Sequence, residues 1–223
     1  MPSVQAIASS LQHSPNLMYV QYGCGHHAPS EWMNFDASPT LRWERIPVLG
    51  RYTKNAGYFP ANVRSGNIVK GLPVPDNHCK GAYASHVLEH LSLDDFYAAL
   101  RNTKKMLRSG GLFRLVVPDL EQAARDYIQK LECGDTTANS HFLRSTCLGV
   151  SSRRAGLASA LYDAIRTSAH LWMWDRLSLE EALIHHGFSG VRRCEFGDCE
   201  DPMFQLVEER SRFEGAIAME ARG

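Results

Sequence analysis

Residues 17–25 read Leu17-Met18-Tyr19-Val20-Gln21-Tyr22-Gly23-Cys24-Gly25, a β-rich run that stops at two glycines. Glycine permits a tight turn or a close backbone approach, so the stretch reads as a strand feeding a glycine loop. Just downstream, Trp32 to Phe35 is a second strand that ends at Asp36. The intervening His26 to Glu31, with Pro29 inside it, is too short for a regular crossover helix and is expected to be a loop or one helical turn.

Further along, Pro47, Gly50, Gly57 and Pro60 mark a loop, residues 61–69 are expected to hold a short strand near Asn67, and Leu72 to Pro75 reads as extended. Gly81 to Ser85 is a short buried strand. Ser92 with Asp95 forms a capping box, and Phe96, Leu100, Thr103 and Leu107 then share one helical face, with Gly110-Gly111 as the expected stop. Leu112 to Val117 is a strand closed by Pro118, and Asp119 with Gln122 opens a helix through about Leu131. Residues 133–177 read as a helical insertion, with Leu157, Leu161 and Ile165 on one amphipathic face and an aromatic cluster at Trp172 and Trp174. Ser178 with Glu181 is expected to cap a helix ending at Gly187, and Val191 to Phe196 and Phe213 to Met219 are terminal strands.

Alternating strands and helices predict an α/β fold. It is a Rossmann-like, doubly wound sheet of about seven strands, mostly parallel with an antiparallel terminal strand and helices on both faces. Residues 1–15 are an N-terminal extension, and 16–223 form one domain.

The 223 residues carry 24 Lys+Arg against 24 Asp+Glu, with 44% hydrophobic residues, which excludes a disordered chain and argues against non-specific nucleic-acid or membrane-surface binding. A small, weakly charged partner is expected, and the oligomeric state stays open, a homodimer included. There is no apolar run of roughly 18 to 20 residues, and Met1 to Pro15 lacks the pattern of a signal peptide, so a cytoplasmic location is expected. Six cysteines without a CxxC pair read as reduced thiols.

Ligands in such sheets sit at the carboxyl ends of the strands, where Gly23 to Gly25, Asp36, His86 to His90 and Pro118-Asp119 converge. Tyr22-Gly23-Cys24-Gly25, Trp32-Met33-Asn34-Phe35-Asp36, Leu72-Pro73-Val74-Pro75-Asp76-Asn77, Ser85-His86-Val87-Leu88-Glu89-His90-Leu91, and Leu107-Arg108-Ser109-Gly110-Gly111 leading to Leu115-Val116-Val117-Pro118-Asp119 follow in an order that resembles the class I S-adenosylmethionine-dependent methyltransferases. The likeness is greatest to the small bacterial, type 11-like methyltransferases, and it spans roughly residues 16–222. His27 departs from it, standing where a third glycine is usual.

The resemblance implies S-adenosyl-L-methionine as cofactor, held by Tyr22, Gly23, Cys24, Gly25, Asp36, Asn67, Ile68, Ser85 and His86. The loop's N–H groups suit the carboxylate, Asp36 the ribose diol, and Asn67 with Ile68 the adenine. In-line methyl transfer needs alignment and, for a hydroxyl acceptor, a base. His90, His86, Glu89 and Asp119 are the candidates, with His170, Trp172 and Trp174 on the acceptor side. The expected reaction is methylation of a small-molecule or glycan-like acceptor at oxygen. The alternative is a binding or regulatory protein that keeps the cofactor site without turnover.

Each residue also has a plainer role open to it. Asp119 suits a helix N-cap, Trp172 and Trp174 a packed base under a lid, and Arg144, Arg153, Arg154 and Arg166 a solvated helix face. His86-x-x-Glu89-His90 matches the H-x-x-E-H string of certain zinc proteases but straddles a strand end instead of one long helix. It also has His86 where metal-dependent methyltransferases with an E-x-x-E-H run have Glu. No metal is expected.

Overall fold

The computed structural model describes residues 18–45, 58–149 and 169–223. The expected N-terminal extension, the amphipathic face at Leu157, Leu161 and Ile165, and Arg153, Arg154 and Arg166 lie outside the described residues. Strands β1 (Met18–Tyr22), β2 (Met33–Asp36), β3 (Val63–Ser65), β4 (Cys79–Ser85), β5 (Leu107–Pro118), β6 (Ser189–Cys194) and β7 (Ala216–Arg222) form a seven-stranded sheet in the order β3-β2-β1-β4-β5-β7-β6. β1 to β5 pair in parallel, and β7 runs antiparallel between β5 and β6. The chain winds outward from β1 to β3 and returns to β4 on the other side of β1. The carboxyl ends of β1, β2 and β4 therefore meet at a switch point of the sheet.

The main core lies on one face. Val20, Phe35, Ala82, Phe113, Leu115 and Ile217 pack there against Phe96 and Leu100 of α2 (Leu93–Met106) and Leu179 and Leu183 of α5 (Arg176–His185). α2 forms because Ser92 Oγ accepts the Asp95 N–H at 3.3 Å, with Asp94 and Asp95 in the first turn and Lys104 and Lys105 in the last, as the helix dipole favours. Phe96, Ala99, Leu100, Thr103 and Met106 recur every three or four residues and are buried. Each large apolar side chain buried in this way contributes roughly 1.5–3 kcal/mol. The short α1 (Pro39–Glu44) seats Leu41 beside β3, and α3 (Leu120–Glu132) and α4 (Ala138–Ser145) pack on each other.

On the opposite face, His26–Glu31 is a loop, as its length requires. The aromatic surface left open there is covered from the far end of the chain by the β6–β7 connection. Its two 3-10 turns, Pro202–Leu206 and Arg210–Phe213, bring Met203, Phe204 and Val207 onto Tyr19, Trp32 and Tyr83. Trp32 Nε1 donates to the Met203 carbonyl at 3.2 Å, and its ring meets Phe204 edge-on at 5.4 Å. Helical pieces thus lie on both faces, the long α2 and α5 on the main-core face and the 3-10 turns of the β6–β7 connection on the other.

Several boundaries depart from the sequence reading. Gly110 and Gly111 do not end α2, which stops at Met106. They sit in a bulge of β5, where the register runs from Cys79↔Leu107 directly to Gly81↔Leu112. A side chain at 111 would stand 2.8 Å from the Cys79 carbonyl oxygen, so close backbone approach explains that glycine. α5 is capped by Asp175, not Ser178. Asp175 Oδ1 accepts the Ser178 N–H at 2.9 Å and starts the helix one turn earlier. β7 starts at Ala216 instead of Phe213, because Phe213 closes a 3-10 turn and Gly215 turns the chain at φ 64°. The strand expected near Asn67 is β3, and Asn67 itself caps a 3-10 turn over Ile68–Lys70.

Candidate active site

At the tip of β1 the chain turns through Gly23 (φ 67°) and Gly25 (φ 54°), both left-handed. A Cβ at 23 would lie 2.1 Å from Val87 Cγ2, whereas one at 25 would meet nothing within 4 Å. The loop thus packs on β4's exit at its first glycine and leaves open space at its second. The Gly25 N–H donates to Asp36 Oδ2 at 3.0 Å, and the Ser38 N–H to Oδ1 at 2.7 Å. Gly25 and Asp36 therefore stand side by side on neighbouring strand tips. Burial, reinforced by the Asp36 charge, pushes the Cys24 thiol up to about 12, so it is a packing group and not a nucleophile. His27, in place of a third glycine, reaches across the loop to the β6–β7 connection, its Nε2 2.8 Å from the Leu206 carbonyl.

Below the loop, a narrow crevice lies between Gly23, Cys24 and Ser85 at the strand ends and Val207, Glu209 and Arg212 on the connection. The Ser85 and Tyr83 hydroxyls line it, both buried and neither with a well-aligned hydrogen-bond partner. Arg212 Nη1 donates to the Ser85 carbonyl at 3.1 Å, and His86 Nε2 contacts the Arg212 carbonyl at 2.8 Å. Asn67 Oδ1 accepts the Val69 N–H at 2.9 Å, which leaves one lone pair for an adenine contact, and the Ile68 side chain is buried in the main core.

His86 takes a left-handed backbone (φ 52°) and turns its Nδ1 to within 3.2 Å of Glu89 Oε1. Burial alone would lower the pKa of His86. The contact with Glu89 and the Arg212 carbonyl outweigh it, and the net shift is upward. Glu89 is 1% exposed, and His90 Nε2 lies 3.9 Å from its Oε1. The segment from Ala169 onward is strapped over this turn. The Leu171 and Trp172 N–H groups both donate to the Glu89 carbonyl, at 2.7 and 3.2 Å, and the His170 ring comes within 5.1 Å of the His90 ring. Burial lowers the pKa of His170. One ligand-type atom from each of Glu89, His90 and His170 lies within 4.8 Å of the others.

Asp119 is engaged as a helix cap, Oδ1 accepting the Gln122 N–H at 3.0 Å. Trp174 is 3% exposed and packs tilted against Phe96 in the core, ring centroids 4.3 Å apart, while Trp172 is exposed beside it, and both border a surface pocket with Tyr97 and His186. The sequence reading missed Val87, Glu209 and Arg212. The signal for the last two was the charged run Glu208-Glu209-Arg210-Ser211-Arg212, in a connection longer than a hairpin needs.

The donors and acceptors at these tips suit the polar groups of a sulfonium nucleoside. Asp36 spends two of about four lone-pair directions on Gly25 and Ser38, which leaves two for a diol. Ser85 supplies a buried hydroxyl beside that of Tyr83, and Gly25 an open cradle.

The sequence matches the methyltransferase-domain family over residues 18–192. Among curated proteins, none matches. Of solved structures, a SAM-dependent methyltransferase from Archaeoglobus fulgidus is 13% identical, with 99% of this chain and 95% of that one covered at a TM-score of 0.49. One from Mesorhizobium loti is 17% identical, with 98% and 96% covered at 0.49. The DszA carbon methyltransferase is 12% identical, with 98% of this chain and 50% of that one covered at 0.51, and at such identity the likeness is one of fold. On the match over residues 18–192, the chain belongs to the methyltransferase-domain family, the S-adenosylmethionine-dependent enzymes of this fold.

Proposed function

We propose that the chain transfers a methyl group from S-adenosylmethionine to an oxygen of a small-molecule or glycan-like acceptor. The observation that carries the reading is the 3.0 Å contact between Gly25 N–H and Asp36, which joins a glycine loop and an acidic strand tip into one cradle. The bound cofactor supplies a methyl carbon already activated for in-line displacement. The chain's own part is alignment. The Gly23–Gly25 backbone receives the amino-acid end, Asp36 accepts the ribose hydroxyls, and Ser85 offers its hydroxyl from β4. Asn67 stands at the adenine side. His86, Glu89 and His90 form the polar edge at the β4 tip where an acceptor hydroxyl is oriented, with His170 and the exposed Trp172 above it. Asp119 acts through the helix it caps.

Among the described residues no helix is long and apolar enough to cross a membrane, and all six cysteines are free thiols, which supports the cytoplasm as the place of action.

The test is calorimetry with S-adenosylmethionine and its demethylated product, followed by incubation of fractionated lysate with methyl-labelled cofactor. Binding together with label on a metabolite or glycan fraction is the expected result. Binding without label transfer to any fraction favours the non-catalytic alternative, and absence of binding at micromolar concentration removes both. Asp36→Asn keeps an acceptor for the Gly25 N–H but removes the charge. Charge-assisted hydrogen bonds contribute roughly 1.5–3 kcal/mol, so the variant is expected to bind the cofactor about tenfold more weakly or worse.

A further inference from the structure

Glu89 sits at the β4 tip with 1% of its surface exposed, and neither of its carboxylate oxygens has a hydrogen-bond partner. A carboxylate at such depth costs several kcal/mol unless cationic groups face it. Among the described residues its near neighbours of opposite potential charge are imidazoles. His86 Nδ1 is 3.2 Å and His90 Nε2 3.9 Å from Oε1, the former out of line for a hydrogen bond.

We propose that Glu89, His90 and His170 hold a divalent first-row transition-metal cation. Ligands about 2.0–2.2 Å from one ion stand roughly 3.3–3.6 Å apart in a tetrahedral site. The present set, within 4.8 Å, reaches that by side-chain closure of about 1 Å.

The supporting contacts point the same way. His90 Nδ1 lies 3.1 Å from the Ala169 carbonyl, which places the ring proton there and leaves the Nε2 lone pair on the Glu89 side. The Leu171 and Trp172 N–H groups hold the strap against the Glu89 carbonyl, and this brings His170 in from a distant part of the chain. The His90 and His170 rings meet edgewise at 66°, one ring nitrogen of each lies within 4.8 Å of the other and of a Glu89 oxygen, and His170 Nδ1 also has Met173 Sδ at 3.3 Å.

His86 stays outside the set, its Nε2 occupied by the Arg212 carbonyl. Two of the ligands, Glu89 and His90, thus come from the H-x-x-E-H string noted in the sequence and the third from the strap, and the set departs from the expectation of no metal. Two imidazoles with one carboxylate suit zinc, cobalt or manganese better than calcium or magnesium, which prefer oxygen, and three protein ligands leave open positions on the ion. The site rests on these side chains alone and stands whether or not the hydroxyl-acceptor reading holds.

Titration of the full chain with cobalt(II), followed by its visible ligand-field absorption, tests the site without reference to methyl transfer. The expected result is one ion per chain, bound at micromolar concentration or tighter and displaced by zinc(II). His170→Ala and Glu89→Gln should each weaken binding by about tenfold or more. His141→Ala, at an exposed histidine outside the cluster, should leave it unchanged. X-ray absorption at the zinc edge of the unaltered protein should show imidazole ligation, a readout that requires no variant to fold. The proposal is overturned if the unaltered chain binds neither ion, if His170→Ala binds as tightly as the parent, or if the zinc edge shows no imidazole.

Discussion

Gly23 is the position where one added methyl group should do most harm. Its left-handed backbone costs an L-residue roughly 1–2 kcal/mol, and the clash with Val87 Cγ2 adds an overpacking cost of about 1–3 kcal/mol. Gly23→Ala should therefore lower stability by about 2–5 kcal/mol in urea unfolding. Trimming the opposing side chain with Val87→Ala relieves the clash but not the strain. A double-mutant cycle should then return a coupling of at least about 1 kcal/mol, and a coupling near zero would remove Val87 from the account. Gly23, Gly25 and Asp36 were legible in the sequence because each follows a strand and each is a residue type with one conformational or chemical reason to be there. The meeting of His170 with Glu89 was not, since it depends on backbone donors at 171 and 172 that carry no residue signature.

At the scale of elements, the β6–β7 connection does the work that a helix between β1 and β2 would otherwise do, and it is fastened by buried charge. Arg114, fully buried on β5, bonds to Glu208 and Glu220 and to the Glu195 and Asp198 carbonyls. Glu220 also has Arg192 at 2.7 Å, so removing Arg114 strands chiefly Glu208, whose pKa burial already holds above the usual carboxylate range. Arg114→Met should cost about 3–5 kcal/mol, and Arg114→Met with Glu208→Leu distinctly less, because the stranded charge goes with it. Equal losses in chemical denaturation would contradict this.

Asp201 anchors the same segment, accepting from Tyr19 Oη at 2.8 Å, Lys80 Nζ at 2.7 Å and the Met203 N–H at 3.1 Å. Burial works against its ionised form, but these donors prevail and the carboxyl lies below its usual value. Its contribution is therefore complete above the unfolded value of about 3.9 and is lost as pH falls through the lower folded value. The stability gap between the parent and Asp201→Asn should be constant from neutral pH down to about 4 and should narrow below it. A gap that stays constant into strong acid would sink the assignment. Helices opened by Ser92 and Asp119 were readable because their caps are local. This connection was not, because what fixes it is Trp32, Arg114 and Tyr19, all far away along the chain.

Across the whole molecule, the strand tips that form the cradle belong to the same sheet that carries both cores, so ligand binding and global stability are linked. A ligand that binds only the folded chain adds about 2.7 kcal/mol at one hundred times its dissociation constant. In a chain of this size each kcal/mol moves the melting temperature by roughly 2–4 °C. S-adenosylhomocysteine at that concentration should therefore raise the melting temperature by about 5–11 °C. Asp36→Asn, if it weakens binding tenfold, retains about 1.4 kcal/mol at the same ligand concentration and should show about half the rise. Hydrogen exchange should locate the gain at residues 22–25 and 85–87, whose backbone forms the tips of β1 and β4, ahead of the edge strand β6. A melting temperature indifferent to the ligand, or a full rise in Asp36→Asn, would mean that the cradle at Gly25 and Asp36 is not where the cofactor binds.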